Sequence, residues 1–299
     1  MRLSLRQLKL FESVARHSSF TRAAEEMHLT QPAVSIQIKQ LEMAVGLPLF
    51  EQIGKRIFLT DVGVELHKVC TEMLEALARF EMNVADRRGL KQGKLRLAVT
   101  TTAKYFVPRL LGPFCERYPG IDVSLKVSNR ERLLERLANN LDDVYILGQP
   151  PGHLPVQSRP FLENPLVPVA HPEHPLAGES RISLQRLAEE PFVMRESGSG
   201  TRMATEEFFQ ERGVAIRVRM ELGSNEAIKQ AVMGRLGVAV LSQNTVTLES
   251  AVGQIAILDA DGFPIVRHWH LVWPADKKPS VVAQAFHDYL EEKAQEPGG

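Results

Sequence analysis

The sequence predicts an α/β protein with an N-terminal winged helix-turn-helix, a long linker helix and a two-lobed, doubly wound α/β domain. Three observations lead to this fold class. Three short runs of apolar residues at helical spacing fill the first 45 residues, and one long amphipathic run follows over residues 60–88. From Lys94 onward, strand-like and helix-like segments alternate to the end of the chain. With 299 residues, the chain has room for two or three domains.

The first three helices are each marked by start or stop residues. Residues 5–16 predict the first helix, and hydroxyls at residues 18–19 can cap a short second helix, 20–27. Thr30 is expected to cap a third helix that carries Pro32 in its first turn and stops at Gly46. Three helices of this length predict a helix-turn-helix.

The next segment predicts a wing and a linker. Strand-like runs at 49–52 and 56–59 flank a basic tip, residues 53–55, which is typical of a hairpin. Thr60 can cap a helix that runs to about Arg88, with an apolar seam made of Val62, Leu66, Val69, Met73, Leu77, Phe80 and Val84. Such a seam favours a homodimer coiled coil through residues 60–88, the alternative being a helix packed on its own domain.

The C-terminal two thirds predict a doubly wound sheet, with strands near 94–99, 121–127 and 143–148 separated by helices at 103–118 and 130–140. Loops at 148–152 and 261–264 are expected to be the crossings between two lobes. The predicted boundaries are 1–59 for the winged helix-turn-helix, 60–89 for the linker helix, 90–299 for the two-lobed domain, about 94–162 and 266–299 for lobe I, and about 163–265 for lobe II.

Charge and composition limit the possible function classes. Lys+Arg and Asp+Glu both number 36, but residues 1–60 hold eight basic against five acidic side chains, the sign expected of a nucleic-acid module. Two cysteines make no disulfide framework, and no apolar run approaches the ~20 residues of a membrane span. We therefore expect a cytoplasmic protein.

The N-terminal sixty residues resemble the LysR-type transcriptional regulators. The matching segments are LRQLKLF (5–11), SFTRAA (19–24), LTQPAVS (29–35), QIKQLE (37–42), GLPLF (46–50) and LTDVG (59–63). The resemblance implies binding to promoter DNA by a homodimer that pairs into a homotetramer, with RNA polymerase as a possible partner. It places the DNA contacts at Thr30, Gln31, Pro32, Ser35, Ile36, Lys39, Lys55 and Arg56. Many members have arginine in place of Ile36, so readout there is expected to be apolar, such as contact with a thymine methyl.

The C-terminal region resembles the branch of this family that controls carbon-fixation (RuBisCO) operons. The matching segments are LAVTTTAKYF (97–106), FCERYPG (114–120), LDDVYILGQP (141–150) and RESGSGTR (195–202). This resemblance implies a non-enzymatic, two-lobed effector domain like that of periplasmic binding proteins, with a phosphorylated metabolite or NADPH as effector. The alternatives are a sulfur- or nitrogen-metabolism regulator and, from another class, a solute-binding protein. A solute-binding protein would need an export signal, and an enzyme would need a nucleophile–base pair. We recognise neither feature in the sequence, so we expect a regulator.

Two loops are expected to form the effector site. Residues 100–102 and 197–201 each follow a strand and open a helix, where free N–H groups and hydroxyls can hold an anion. The competing interpretation is ordinary helix capping. The predicted site comprises Thr100, Thr101, Thr102, Lys104, Asn129, Arg130, Gln149, Arg195, Ser197, Ser199, Thr201 and Arg202. Histidine pairs at 171/174 and 268/270 are interpreted as surface or core residues, so no metal site is expected.

Overall fold

The computed structural model describes residues 3–54, 56–87 and 91–295, and the chain forms two compact units, Met1–Val84 and Ala85–Gly299. The first unit contains α1 (Leu5–His17), α2 (Phe20–Glu26), α3 (Gln31–Val45), β1 (Phe50–Ile53), β2 (Arg56–Leu59) and most of α4 (Asp61–Arg87). The strands β1 and β2 pair antiparallel as the wing.

Caps define the helix ends of the first unit. The hydroxyls of Ser4, Ser19 and Thr30 each accept a hydrogen bond from a backbone N–H three residues later, at the starts of α1, α2 and α3. Gly46 ends α3 with a φ of 85°, which glycine adopts without strain. These caps explain why the sequence predicts the helix boundaries to within a few residues.

Close contacts hold the three helices, the wing and α4 in one core. Ala23 is fully buried, which lets α2 approach its neighbours. Glu42 of α3 accepts hydrogen bonds from the backbone N–H groups of Leu49, at 2.8 Å, and Phe50, at 3.3 Å. A Cβ at Gly63 would lie 2.1 Å from the carbonyl oxygen of Leu49, so the first turn of α4 requires glycine there.

The second unit is built around one curled sheet with the strand order β10–β6–β11–β5–β3–β4, with β9 also paired to β6. Its strands are β3 (Gly93–Thr100), β4 (Ile121–Ser128), β5 (Val144–Leu147), β6 (Val156–Ala170), β9 (Ala239–Ser242), β10 (Ala256–Ile257) and β11 (Ile265–Pro274). β3 pairs parallel with β4 and β5, and β11 pairs antiparallel with β5 and β6.

A second ladder joins β7 (Pro191–Arg195) to β8 (Arg217–Leu222) in parallel. The helices of this unit are α5 (Val107–Arg117), α6 (Arg130–Ala138), α7 (Leu184–Ala188), α8 (Gly200–Glu211), α9 (Asn225–Met233), α10 (Gln243–Ala251) and α11 (Val281–Gln295). We call β3–β5 with α5 and α6 the first lobe, and β7–β10 with α7–α10 the second lobe.

The chain passes between the lobes inside β6 and β11, whereas the sequence predicts crossings at loops 148–152 and 261–264. The start of β6 pairs with the end of β11, which borders β5 of the first lobe. The end of β6 pairs with β9 and β10 of the second lobe. β6 contains Pro160, Pro165 and Pro168. Because prolines within a run argue against a strand, the sequence does not predict a strand of this length.

The helix predicted at 103–118 is divided in the structure. A 3₁₀ turn covers Ala103–Tyr105, and α5 begins only at Val107, with Pro108 in its first turn. Within the described ranges, no helix has the length and apolar character needed to cross a lipid bilayer.

Candidate functional site

One face of α3 is free for contact with another molecule. Its opposite face packs into the core through Val34, Ile38 and Leu41. Of the predicted DNA contacts, Gln31, Pro32, Ile36 and Lys39 are exposed and Ser35 is partly exposed. The exposed face therefore combines amide, hydroxyl, ammonium and apolar groups, which suits base edges in a major groove.

Two details describe how the side chains of this face are held. The Gln31 side-chain amide donates a hydrogen bond to the Ser35 hydroxyl, at 2.9 Å, so these two groups are already oriented together. Ile36 is 56% exposed, which leaves its side chain available for apolar contact. The Thr30 hydroxyl instead accepts from the N–H of Ala33, at 3.4 Å, and so serves as the helix cap.

The wing contributes one described basic residue. Arg56 is exposed and pairs with Ile53 across the hairpin tip. Lys55, the other predicted wing contact, lies outside the described residues.

The seam of α4 changes character along its length. Val62 and Leu66 pack against the core of the first unit. Beyond them, Val69, Met73 and Phe80 are 49%, 50% and 63% exposed. Large apolar side chains exposed at helical spacing are typical of a surface that another helix covers.

A cavity of about 250 Å³ lies in the second unit, where the two lobes face each other. The carboxyl ends of β3, β4 and β5 lead into its first-lobe wall, and the N-terminus of α8 forms its second-lobe wall. β6 and β11 form its floor. This is the position at which doubly wound folds bind ligands.

The cavity brings together eight of the twelve predicted effector residues. Its lining includes Thr100, Thr101, Thr102, Arg130, Gln149, Arg195, Ser199 and Thr201. Residues from four separate segments of the chain therefore meet at one place, although up to 101 positions separate them in the sequence.

The other four predicted residues have different positions. Lys104 forms an ion pair with Glu226, at 2.6 Å, and Ser197 is exposed outside the lining. Asn129 caps α6, its Oδ1 accepting from the N–H of Arg132 at 3.1 Å. The Arg202 guanidinium is held by Glu206, at 2.7 Å, and by Glu221.

Arg195 is committed to neighbouring protein groups. Its side chain is only 3% exposed and forms two hydrogen bonds to the Glu196 carboxylate, at 2.8 and 2.9 Å. It also donates to Asn225 Oδ1, at 2.6 Å, and to the Thr101 hydroxyl, at 3.3 Å. With its charge paired to Glu196 and most of its N–H donors used, Arg195 orients the cavity wall more than it offers charge to a ligand.

Arg130 is the contrasting case. It donates to the backbone carbonyl of Gln149, at 2.6 Å, and no carboxylate pairs with it among the described residues. Partial burial lowers the pKa of Arg130 because the charged guanidinium loses hydration. A cation that is partly desolvated and unpaired at a cavity wall is electrostatically suited to an anion.

The N-terminus of α8 adds hydrogen-bond donors. Ser199 occupies the N-cap position and is 6% exposed, yet its hydroxyl does not cap the helix. The competing interpretation of this loop, ordinary capping by its hydroxyls, is thus not realised at Ser199. The free hydroxyl and the first N–H groups of α8 are available to a ligand.

The cavity floor was missed from the sequence. It consists of Asn164 and Leu166 on β6, and of Val266, Arg267, His268, Trp269 and His270 on β11. The alternating histidines of β11 can be recognised in the sequence. Its partner strand β6 cannot, because β6 contains prolines and lies about one hundred positions away. Gly148, Glu196, Gly200 and Ala204 complete the lining.

Polar atoms of the floor are unevenly satisfied. Asn164 Oδ1 and Trp269 Nε1 are buried and form no hydrogen bond. The Nδ1–H of His270 donates to the carbonyl oxygen of His268, at 3.0 Å, and burial lowers the pKa of His270. Arg267 donates to Glu207. Among the described residues, no three His, Cys, Asp or Glu side chains are grouped closely enough to hold a metal ion.

Two family models match the chain. The first, described as a bacterial regulatory helix-turn-helix protein of the lysR family, covers residues 5–64. The second, described as a LysR substrate binding domain, covers residues 88–295.

Full-length relatives are regulators of the same type. The chain is 54% identical to the transcriptional activator CmpR of Synechocystis over 96% of its own length and 94% of the relative. It is 53% identical to a RuBisCO operon transcriptional regulator of Acidithiobacillus ferrooxidans, over 96% and 93% of the two chains.

Solved structures agree with the fold. The regulatory domain of Synechocystis CcmR, in complex with 2-PG (2-phosphoglycolate), is 53% identical with a TM-score of 0.66, covering 69% of this chain and 99% of that one. Full-length CbnR complexed with its target DNA has a TM-score of 0.68 at 21% identity, over 98% and 100% of the chains, which is a likeness of fold.

Proposed function

Because this chain belongs to the LysR family of DNA-binding transcriptional regulators, we propose that it controls carbon-fixation (RuBisCO) genes in response to a small phosphorylated acid. The target genes follow from relatives named as RuBisCO operon regulators at 53% and 48% identity. The same relatives favour carbon fixation over sulfur or nitrogen metabolism.

One observation carries the effector class: Arg130, unpaired with any described carboxylate, faces the free N-terminus of α8 across a small cavity. A guanidinium and a helix N-terminus both favour phosphate or carboxylate groups. A volume of about 250 Å³ lies below the usual range for drug-sized ligands, so it suits 2-phosphoglycolate far better than NADPH.

A bond network couples the cavity to both lobes. The Asn225 side chain of the second lobe donates to the Thr102 hydroxyl, at 3.1 Å, and Arg195 donates to Thr101. Both threonines line the cavity, so a ligand that engages them changes the contacts between the lobes. Effector binding then favours one lobe arrangement over another, which is the requirement for allosteric control.

DNA binding is assigned to α3 and the wing. In the proposal, Gln31, Pro32, Ser35 and Ile36 contact bases, whereas Lys39, Lys55 and Arg56 contact phosphates or bases nearby. Residues 60–88 join two chains, and dimers pair through their effector domains into a tetramer that contacts RNA polymerase in the cytoplasm. The exposed Val69, Met73 and Phe80 support the dimer seam.

Calorimetry on the full chain tests the effector class. Separate titrations with 2-phosphoglycolate, ribulose bisphosphate, NADPH and benzoate are expected to give the tightest binding for 2-phosphoglycolate and none for benzoate. Tight binding of benzoate, without a response to any phosphorylated compound, would overturn the proposed effector and leave the family assignment intact.

A further inference from the structure

Two glycines line opposite walls of the cavity, and the fold itself requires neither. Gly148 follows β5 in the first lobe, and Gly200 is the first residue of α8 in the second. Neither has a φ in the left-handed region. A Cβ at Gly148 would meet its nearest atoms, Asn164 Nδ2 and Trp269 Cζ3, at 3.6 and 3.7 Å, which are ordinary contacts. A Cβ at Gly200 would meet nothing within 4 Å.

Glycine at such positions weakens the fold. It adds conformational freedom to the unfolded chain, and in a helix it is less favourable than alanine. Some glycines of this chain are explained by local geometry: a Cβ at Gly237 would lie 2.0 Å from the carbonyl oxygen of Pro191. Gly148 and Gly200 lack such a reason, and so do Gly112, Gly152, Gly178 and Gly223. Gly148 and Gly200 differ from these four because they line the cavity, where a Cβ would take space from a ligand.

The surroundings of Gly200 suit an acidic group. Ser199, the preceding residue, is only 6% exposed, and its hydroxyl forms no capping hydrogen bond. Thr201, the following residue, also lines the cavity. The N–H groups at the start of α8 are free of helix partners. Without a Cβ at Gly200, an anion can approach these N–H groups closely.

The surroundings of Gly148 suit a second acidic group. Gln149, next in the chain, accepts from Arg130 through its carbonyl, which places the guanidinium beside this wall. Asn164 is 6% exposed, and its Nδ2, an amide donor, borders the space that a Cβ of Gly148 would take. Each lobe thus offers hydrogen-bond donors and a positive electrostatic potential next to a glycine, and both properties favour an anionic group.

We propose that Gly148 and Gly200 are specificity-determining residues that admit an effector with two separate acidic groups, one on each lobe. The phosphate lies against the N-terminus of α8 at Gly200, and the carboxylate lies beside Arg130 and Asn164 at Gly148. This inference rests on the proposed function, since it specifies the ligand of the same cavity.

The test replaces each glycine by alanine in the full chain. Gly152→Ala and Gly178→Ala are matched controls, because a Cβ at either position meets nothing within 4 Å, both are exposed, and neither lines the cavity. Thermal unfolding measures stability, and calorimetry measures binding of 2-phosphoglycolate and of inorganic phosphate.

All four variants are expected to keep or raise the unfolding temperature. Gly148→Ala and Gly200→Ala are each expected to weaken 2-phosphoglycolate binding roughly 10–200-fold, the usual effect of one misplaced carbon in a binding site. Gly200→Ala also weakens phosphate binding, whereas Gly148→Ala leaves it unchanged. The two controls bind both ligands as the parent chain does.

Three results would overturn the inference. A clear fall in unfolding temperature for either cavity variant would mean that the fold requires the glycine. Unchanged 2-phosphoglycolate binding would mean that the glycine does not limit the ligand. Equal weakening of phosphate binding by both variants would mean one shared anion site. If the parent chain binds neither ligand, the proposed effector class itself fails, which is a distinguishable outcome.

Discussion

Replacing Arg130 by methionine isolates the charge that the cavity offers to an effector. Methionine keeps an unbranched apolar side chain and removes the guanidinium. A charge-assisted hydrogen bond to phosphate or carboxylate contributes about 1.5–3 kcal/mol. At 1.4 kcal/mol per tenfold change in affinity, 2-phosphoglycolate binding should weaken by roughly 10–150-fold.

The same substitution should leave the fold nearly as stable. The described hydrogen bond that Arg130 donates goes to the carbonyl of Gln149, an exposed residue, so water can replace the guanidinium. Arg195→Met is a poor alternative, because it would leave the Glu196 carboxylate and Asn225 without their buried partner. Removing one member of a buried pair destabilises a protein by about 3–5 kcal/mol.

Arg132→Met is the matched control, since Arg132 is exposed on the same helix and outside the cavity lining. Calorimetry at one salt concentration compares the parent and both variants. Equal dissociation constants for the Arg130 and Arg132 variants would refute the assignment of Arg130 as the anion-binding cation. A loss of affinity in both would indicate a nonspecific charge effect.

Three further predictions concern DNA binding, assembly and stability. Lys39→Ala should reduce the salt slope of operator binding by about one unit, whereas Ser35→Ala should cost about 1–3 kcal/mol on the specific site alone. Met73→Asp should place a charge in the dimer seam and give smaller species in sedimentation. Burial lowers the pKa of His287 to about 4 from its usual 6.5, so the folded state favours neutral imidazole. Stability is therefore full above pH 6.5 and falls as the pH drops toward 4, by about 2 kcal/mol between pH 7 and pH 5 in chemical denaturation.

Each of these predictions has its own contradicting result. Unchanged gel shifts for both α3 variants would exclude that helix as the reader. An unaltered sedimenting mass for the Met73 variant would mean that the seam is covered within one chain. Equal pH dependence in His287→Phe, which keeps an aromatic ring against Trp273, would assign the acid sensitivity to other groups.

The sequence was most informative where local rules decide the structure. Thr30, Gly46 and the apolar stripe of α3 are recognisable because caps and helical spacing act over a few residues. The threonine loop after β3 and the serine loop before α8 could be predicted as site segments because strand ends in this fold face the ligand.

The remainder of the site depends on contacts that no local rule supplies. Arg202 and Arg130 are both arginines near helix starts, and only the structure distinguishes them. Glu206 lies four residues after Arg202 on α8, so helical spacing could have suggested this ion pair. Glu221, the second partner of Arg202, lies on β8, and no local spacing indicates it. The cavity floor on β6 and β11 could not be predicted, because the two strands are distant in sequence and β6 contains prolines.

A footprint of the full chain on RuBisCO promoter DNA tests the central claim most directly, since it reads DNA binding and effector response in one experiment. With the parent chain, 2-phosphoglycolate should change the length or the hypersensitive positions of the protected region. The Arg130→Met variant should give the effector-free footprint at the same ligand concentration. Footprints of the parent chain that are identical with and without 2-phosphoglycolate would contradict an effector-controlled regulator of this class.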